Sequence, residues 1–332
     1  MGLFDRYNKK SLIKKAYKLI NVGKYVDALE CYDKILKMDL YYVDAWFGKG
    51  SVLQFIGRSH EALEAYDKAL ELDPKYVEVW YSKGVVFDEL EKYPEALNSY
   101  DNALELDSTH ANAWNNKASL LFILKRFPES LRCYEQALKL DPNNFEALYN
   151  MSQLLEEMEK YYEAIETYDK VLKIDPNYFL AWYRKGFLLA KLEKYNEAIK
   201  CYDKALELDP NDSELLYNKG NSLKELGNHQ KAIENYDKAL KIDPKFSHAW
   251  NNRGTSLKNL KKYQMALKSF DKALKTDPRN IAAWYNKGIT LVDTGNNQKA
   301  LECFNKALEL DPDFEPALKA KKEIFEKKKI LN

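Results

Sequence analysis

Four cysteines in 332 residues, Cys31, Cys133, Cys201 and Cys303, are too few for a disulfide-built scaffold. They also recur at one phase of a repeat, on parallel helices at least two repeats apart, which places them beyond disulfide geometry. A reducing, cytoplasmic setting is expected on that ground. The four histidines, His60, His110, His229 and His248, fall at different phases, with no ligand pair at helical spacing and no cysteine alongside. No glycine-rich phosphate loop is present, and the recurrent glutamates and aspartates have a structural explanation at helix ends. The chain therefore reads as non-enzymatic, without cofactor or metal. Charge of one sign is missing too: 52 basic groups face 51 acidic ones. That balance argues against nucleic acid, although basic groups gather at both ends. No early run resembles a signal peptide, and no apolar stretch nears the roughly 18–20 residues of a membrane span. Met1-Gly2 opens like a myristoylation signal, but Arg6 stands where serine or threonine is wanted.

What the chain does have is a period. Asp-Pro recurs every 34 residues, at Asp73, Asp141, Asp175, Asp209, Asp243, Asp277 and Asp311, and Asp39 and Asp107 keep the register without the proline. Such regularity means an array whose repeats contact mainly their neighbours. The repeats are 9–42, 43–76, 77–110, 111–144, 145–178, 179–212, 213–246, 247–280 and 281–314, after an N-terminal extension or cap at 1–8. In the sixth, Trp182, Gly186 and Leu189 share one helical stripe and Ala198, Tyr202 and Ala205 another. Two antiparallel helices follow, joined by a turn at Glu193-Lys194-Tyr195. Proline pushes the preceding residue out of the α conformation, so Asp209 should end its helix. In Asp141-Pro142-Asn143-Asn144, Asn143 is expected to cap the next helix, with Glu146 completing a capping box.

Position 8 of each repeat is never larger than serine, position 20 is alanine except for Ser130, and position 24 is always tyrosine or phenylalanine. Small residues from both helices thus leave room for a ring. Together with tryptophan or leucine at position 4, these features closely resemble the tetratricopeptide (TPR) repeat over residues 9–314. The resemblance implies an all-α fold, a right-handed superhelix of antiparallel helix pairs. Residues 315–332 form a C-terminal capping helix and tail in this reading, with Leu318 and Ile324 on its apolar side. Leu3, Phe4 and Tyr7 are expected to shield the other end. A cap is favoured over a membrane anchor at either terminus.

In TPR proteins the first helices line the inner surface, where positions 2, 5, 6, 9, 12 and 13 usually meet the ligand. Here position 6 supplies Asn116, Asn150, Asn218, Asn252 and Asn286, interrupted by Arg184. Such amides can grip a peptide backbone, as in some TPR superhelices, or can simply be surface residues. Position 5 supplies Phe47, Tyr81, Tyr149, Tyr183, Tyr217 and Tyr285, rings suited to groove contacts or to packing between repeats. At the variable positions the second repeat offers Gln54 and Phe55 and the fourth Phe122 and Ile123, apolar groups on a face expected to be wet, with Asp88, Glu89, Glu156 and Glu157 nearby and Arg184, Lys191, Lys224 and Lys258 later. The family's clamp for chaperone C-terminal carboxylates needs lysine at position 5, which no repeat has, and Leu180 replaces the lysine companion of Arg184. The resulting expectation is a scaffold or adaptor that binds a protein or extended peptide segment. The alternative is an assembly protein that self-associates through its ends or outer surface.

Overall fold

The protein, a computed structural model, is described for the backbone of residues 3–331 and for the side chains of residues 8–326. The lipidation reading at Met1-Gly2 and the shield expected of Leu3, Phe4 and Tyr7 lie outside the described residues. Nineteen helices and no strand occur among the described residues. Two compact bodies divide the chain, Met1–Lys160 and Tyr161–Asn332. The N-terminal body holds α1 (Leu3–Asn21), α2 (Tyr25–Met38), α3 (Val43–Phe55), α4 (Ser59–Leu72), α5 (Val77–Glu89), α6 (Tyr93–Leu106), α7 (Ala111–Ile123), α8 (Phe127–Leu140) and α9 (Phe145–Glu157). The C-terminal body holds α10 (Tyr161–Ile174), α11 (Phe179–Lys191), α12 (Tyr195–Leu208), α13 (Ser213–Glu225), α14 (His229–Ile242), α15 (Ser247–Asn259), α16 (Tyr263–Thr276), α17 (Ile281–Asp293), α18 (Asn297–Leu310) and α19 (Glu315–Leu331). Within each body, the first helix of a pair packs on its own second helix, and that second helix on the next first helix. Neighbouring first helices also touch, α3 with α5, α5 with α7, α11 with α13 and α13 with α15. Among the described residues no comparable contact joins neighbouring second helices. First helices therefore form the inner side of each body.

Backbone chemistry explains the period. At the end of every second helix the position-31 aspartate turns extended, and its Oδ1 accepts the N–H two residues on, as Asp209 does from Asn211 at 3.0 Å. Asp39 and Asp107 make the same turn with Tyr41 and Thr109 despite lacking proline. The carboxylate, rather than the proline, is thus the shared device. That turn also moves the next cap by one residue from the sequence expectation. The Asn143 N–H is bound to Asp141 Oδ1, so the cap of α9 is Asn144, whose side chain accepts from the Ala147 N–H at 2.9 Å. Glu146 then sits one residue early for a capping box. Between the two helices, position 15 is left-handed in every repeat, glycine at Gly57 (φ 78°) but glutamate at Glu193 (φ 60°). The Glu193 N–H reaches the Ala190 carbonyl and the Lys194 N–H the Leu189 carbonyl, a Schellman-type stop.

The core repeats as well. The position-24 rings, from Tyr32 to Phe304, are at most 2% exposed. A Cβ on Gly186 would lie 2.7 Å from the ring of Tyr202, and one on Gly84 2.6 Å from Tyr100. The small residue therefore accommodates the ring of its own repeat. Ser130 keeps its place at position 20 by donating its buried hydroxyl to the Ala118 carbonyl at 2.7 Å. All four cysteines are buried and free, and burial pushes the Cys201 thiol up to about 11. Thiolate chemistry is suppressed there.

A second set of contacts binds each repeat to the one before. The indole N–H of Trp80 donates to the Pro74 carbonyl at 2.9 Å, and all six tryptophans do likewise. Over each indole lies the position-7 cation, Lys83 above Trp80 at 5.5 Å and Arg253 above Trp250 at 5.7 Å. That same cation pairs with position 25 of the preceding repeat, Lys83 with Asp67 and Arg253 with Asp237. The fifth repeat has Leu148, Met151 and Ser152 at positions 4, 7 and 8, and thus has none of these groups.

The last helix departs from expectation in its buried face. Ala317, Ala320 and Ile324 of α19 join the core of Ala300, Cys303, Phe304 and Ala307. Leu318, assigned to that apolar side from sequence, is 47% exposed, and so is Phe325 at 51%. The reason is phase. Leu318 and Phe325 occupy positions 4 and 11 of the repeat, the side that a second helix covers in the other repeats. Leu189, at position 11 of its repeat, is only 2% exposed under α12.

Candidate functional site

The inner face of each body is built from one stripe of each first helix, because residues four apart on a helix stand above one another. In the N-terminal body it carries Phe47, Tyr81, Asn116, Phe122, Ile123, Tyr149 and Asn150; in the C-terminal body it carries Tyr183, Arg184, Tyr217, Asn218, Asn252, Tyr285 and Asn286. The position-5 rings are half-buried wedges between repeats. Phe47 meets Tyr66 of its own repeat at 6.1 Å and Tyr76, the residue before the next repeat, at 5.2 Å. Tyr217 sits likewise against Tyr236 and Phe246, and Tyr285 against Phe304 and Phe314. Tyr81 lies tilted against His110 at 4.7 Å, and burial raises its hydroxyl pKa. Tyr183 differs, lying parallel to Phe179 on its own helix at 6.4 Å.

The asparagines are also tied into the frame. Asn116 Nδ2 donates to the Tyr81 hydroxyl of the preceding repeat at 3.2 Å, and Asn252 Nδ2 to that of Tyr217 at 3.1 Å. Asn252 also donates to Asn221 Oδ1, which accepts from Tyr236 as well. Asn251 then donates to Asn252 and receives from Asn286, so a chain of amides crosses three repeats of the C-terminal body. Asn150 has only a long contact, 3.5 Å, to Ser119. Asn252 Nδ2 and Asn221 Oδ1 are fully used by these bonds, while Asn116 and Asn286 each keep a second Nδ2 proton. Of the cations, Lys224 pairs with Glu225 at 2.9 Å and Lys191 donates to Tyr161 at 2.6 Å, whereas the Arg184 side chain is exposed.

The two inner faces present different surfaces. In the C-terminal body a cavity of about 390 Å³ opens between α11 and α13, lined by Phe187, Lys191, Asn218, Asn221 and Glu225 with Tyr195 and Tyr202 at its base. Phe187 is 43% exposed there. In the N-terminal body, the ends of α3, α5 and α7 carry Phe55 (70% exposed), the pair Asp88 and Glu89, and Ile123 (57% exposed). Phe122, beside Ile123, turns partly inward against Phe127 at 5.8 Å. Phe55, at position 13, was read from sequence as a variable groove residue, whereas Phe187, at position 9 of the same expected ligand face, was not singled out. Their signal was a large apolar residue at a variable, outward position.

The sequence model described as "Tetratricopeptide repeat" matches residues 43–76, 77–110, 111–144, 179–212, 213–246, 247–280 and 281–314. The chain belongs to the tetratricopeptide repeat family. Two further TPR models match residues 133–166 and 154–193. Among solved structures, the chain is similar to YrrB, described as a TPR protein with an unusual peptide-binding site, at 29% identity, covering 57% of this chain and 97% of that one with a TM-score of 0.49. It is similar in fold to pilF of Pseudomonas aeruginosa, at 24% identity over 61% and 92% of the two chains, TM-score 0.50. The C-terminal part of a TPR protein from Cytophaga hutchinsonii is 15% identical over 72% and 98%, TM-score 0.62. A search of curated proteins returned no match. TPR arrays mediate protein–protein interactions. Among the described residues no helix is long and apolar enough to cross a membrane, and no group of three or more His, Cys, Asp or Glu side chains is placed to hold a metal.

Proposed function

We propose that this protein is a noncatalytic scaffold that captures an extended protein segment on the inner face formed by its first helices. The carrying observation is the cavity between α11 and α13, where the half-exposed ring of Phe187 stands among Asn218, Asn221 and Glu225. A single apolar side chain fits a space of that size, while the surrounding amides have donors and acceptors to offer an extended backbone. Half-buried tyrosines along the same face add contact area at little cost in side-chain entropy. Ordering a flexible segment consumes part of the interaction energy, so the binding is of the reversible kind.

Because the asparagines also hold the repeats together, Phe187 is the cleaner probe. Peptides selected from a displayed random library against the whole chain should bind in solution by fluorescence polarisation. Phe187→Asp should weaken the binding at least tenfold with unchanged helicity, whereas Lys306→Ala on the outer face should leave it intact. Selected peptides that ignore Phe187→Asp and respond to the outer-face change would reject the reading.

A further inference from the structure

The inner face of the N-terminal body holds a charge that no side chain among the described residues neutralises. Asp88 and Glu89 sit at positions 12 and 13, the last turn of α5. Neither forms an ion pair among the described residues; Gln54 Nε2 donates a long bond, 3.4 Å, to Glu89 Oε1. Asp88 is half-buried, and burial, followed by the neighbouring Glu89 charge, raises its pKa. An unpaired carboxylate held partly out of water is a costly arrangement that a cation would relieve.

A second observation points to the same spot. In the second, fourth and seventh repeats the hydroxyl of the position-24 tyrosine is satisfied by a polar side chain of the inner face. Tyr66 donates to Gln54 at 2.8 Å, Tyr134 pairs with Ser119 at 2.9 Å, and Tyr236 donates to Asn221 at 2.8 Å. In the third repeat position 9 is Val85, and the buried Tyr100 hydroxyl, with Asn116 as its polar neighbour, has no well-formed hydrogen bond among the described residues. Tyr100 itself is 0% exposed, and Asp88 is the foremost charge acting on it. A buried donor without an acceptor costs about 1–3 kcal/mol, so an incoming acceptor or a shift of the Asp88 carboxyl would be favourable.

Apolar groups flank the acids on both sides. Phe55 is at position 13 of the second repeat and Ile123 at position 13 of the fourth, on α3 and α7, the two first helices that touch α5. Their exposures, 70% and 57%, are large for phenylalanine and isoleucine on a folded surface. Tyr25 backs Phe55 at 4.8 Å, which holds the ring in place.

We infer that the row Phe55, Asp88/Glu89, Ile123 is a specificity site for an extended segment carrying one lysine or arginine between two apolar side chains. Packed helices lie about 8–10 Å apart, and a chain in the extended polyproline II conformation advances about 3.1 Å per residue with three residues per turn, which keeps every third side chain on one face. The matching ligand therefore has its apolar residues about three positions either side of the cation. This assignment deepens the inner-face reading of function and rests on it.

The test uses the full-length chain and a labelled peptide containing Leu-Ser-Gly-Lys-Gly-Ser-Leu, which reads alike in both directions and so is indifferent to orientation. Polarisation titrations compare it with versions carrying glutamate or norleucine in place of lysine. Binding of the lysine peptide should be at least tenfold tighter than that of either. The pair Asp88→Asn and Glu89→Gln, near-isosteric changes, should bring the lysine and norleucine peptides to equal affinity; Ile123→Ser should weaken all three. Equal binding of the lysine and glutamate peptides, no binding of any, or a lysine preference that survives the double change would overturn the inference. Library-selected peptides that still depend on Phe187 would show in that event that the general reading stands and only this assignment has failed.

Discussion

The two bodies of this chain share a frame and differ where the frame leaves a choice. In both, an aspartate turn ends each second helix, a left-handed residue ends each complete first helix, and a ring fills the space left by a small residue. At positions 9, 12 and 13 they diverge. The N-terminal body shows Phe55, Asp88, Glu89 and Ile123; the C-terminal body shows Phe187, Asn221, Lys224 and Lys258. In the first body the acids have no cationic partner among the described residues, while in the second Lys224 is bonded to a neighbouring acid and the amides to each other. The lesson is a separation of labour within each helix. The faces toward the second helices are set by packing and tolerate little, whereas on the inner face positions 5 and 6 still join the frame and positions 9, 12 and 13 are freer to vary.

The sharpest way to break that comparison is to damage the shared frame equally in both bodies. Gly84→Leu and Gly186→Leu each force a side chain into the ring of Tyr100 or Tyr202, where a Cβ alone would lie 2.6 or 2.7 Å away. Each should cost about 3 kcal/mol, the upper end for overpacking, as read from urea unfolding. The alanine variants should differ little from wild type, because Ala16 and Ala118 already stand beside Tyr32 and Tyr134 and alanine returns about 1 kcal/mol of helix propensity. A large cost in one body and none in the other would show that the two cores are not equivalent.

A smaller effect distinguishes the two bodies at their inter-repeat contacts. Lys83 in the first makes one ion pair, with Asp67, beside the Trp80 indole. Arg253 in the second donates to both Asp237 at 2.6 Å and Ser269 at 2.7 Å while lying over Trp250. A guanidinium can serve all three neighbours at once, which an ammonium does less well. Arg253→Ala should therefore cost about 1–2 kcal/mol, and Lys83→Ala less than about 1 kcal/mol since Asp67 is half exposed. Equal losses in denaturation would show that the second bond of Arg253 contributes nothing.

Much of this architecture was legible because it repeats. A side chain required nine times for packing leaves a periodic mark, so the helix pairs, the small residue beside the ring and the Asp209 stop could be read from residue types alone. The cap was missed by one residue, since an Asx turn at Asp141 consumes Asn143 before Asn144 can act, and turn geometry is not written in periodicity. Leu318 was misplaced for a related reason: its phase equals that of a covered position, but α19 has no following second helix in this chain to cover it. The inner-face asparagines were visible as a stripe. Their engagement with Tyr81 and Tyr217 was not, because it joins residues from different repeats at a distance only the packing sets. Phe187 was obscure for the opposite cause, being a single departure at a variable position.

The faintest difference between the bodies should be electrostatic. Burial and Glu89 hold the folded-state pKa of Asp88 above the ordinary carboxyl value of 3.8. A group with a raised folded pKa contributes most to stability when protonated, below its unfolded pKa, and that contribution is lost as pH rises through the folded value. At pH 7 the ionised Asp88 therefore opposes folding slightly, and the penalty is screened because the side chain is only half-buried. Asp88→Asn should raise the unfolding midpoint a little at pH 7, and the gain should shrink as pH falls through the raised folded pKa and be gone below about 4, the unfolded carboxyl range. Adding a cationic peptide should reduce the same gain at pH 7, since the ligand's charge relieves what the amide removes. In the C-terminal body Glu225 already has Lys224 at 2.9 Å, so Glu225→Gln should produce no such rise. A midpoint for Asp88→Asn that falls at neutral pH would mean that the carboxylate already has a stabilising partner, and the contrast between the two inner faces would lose its physical basis.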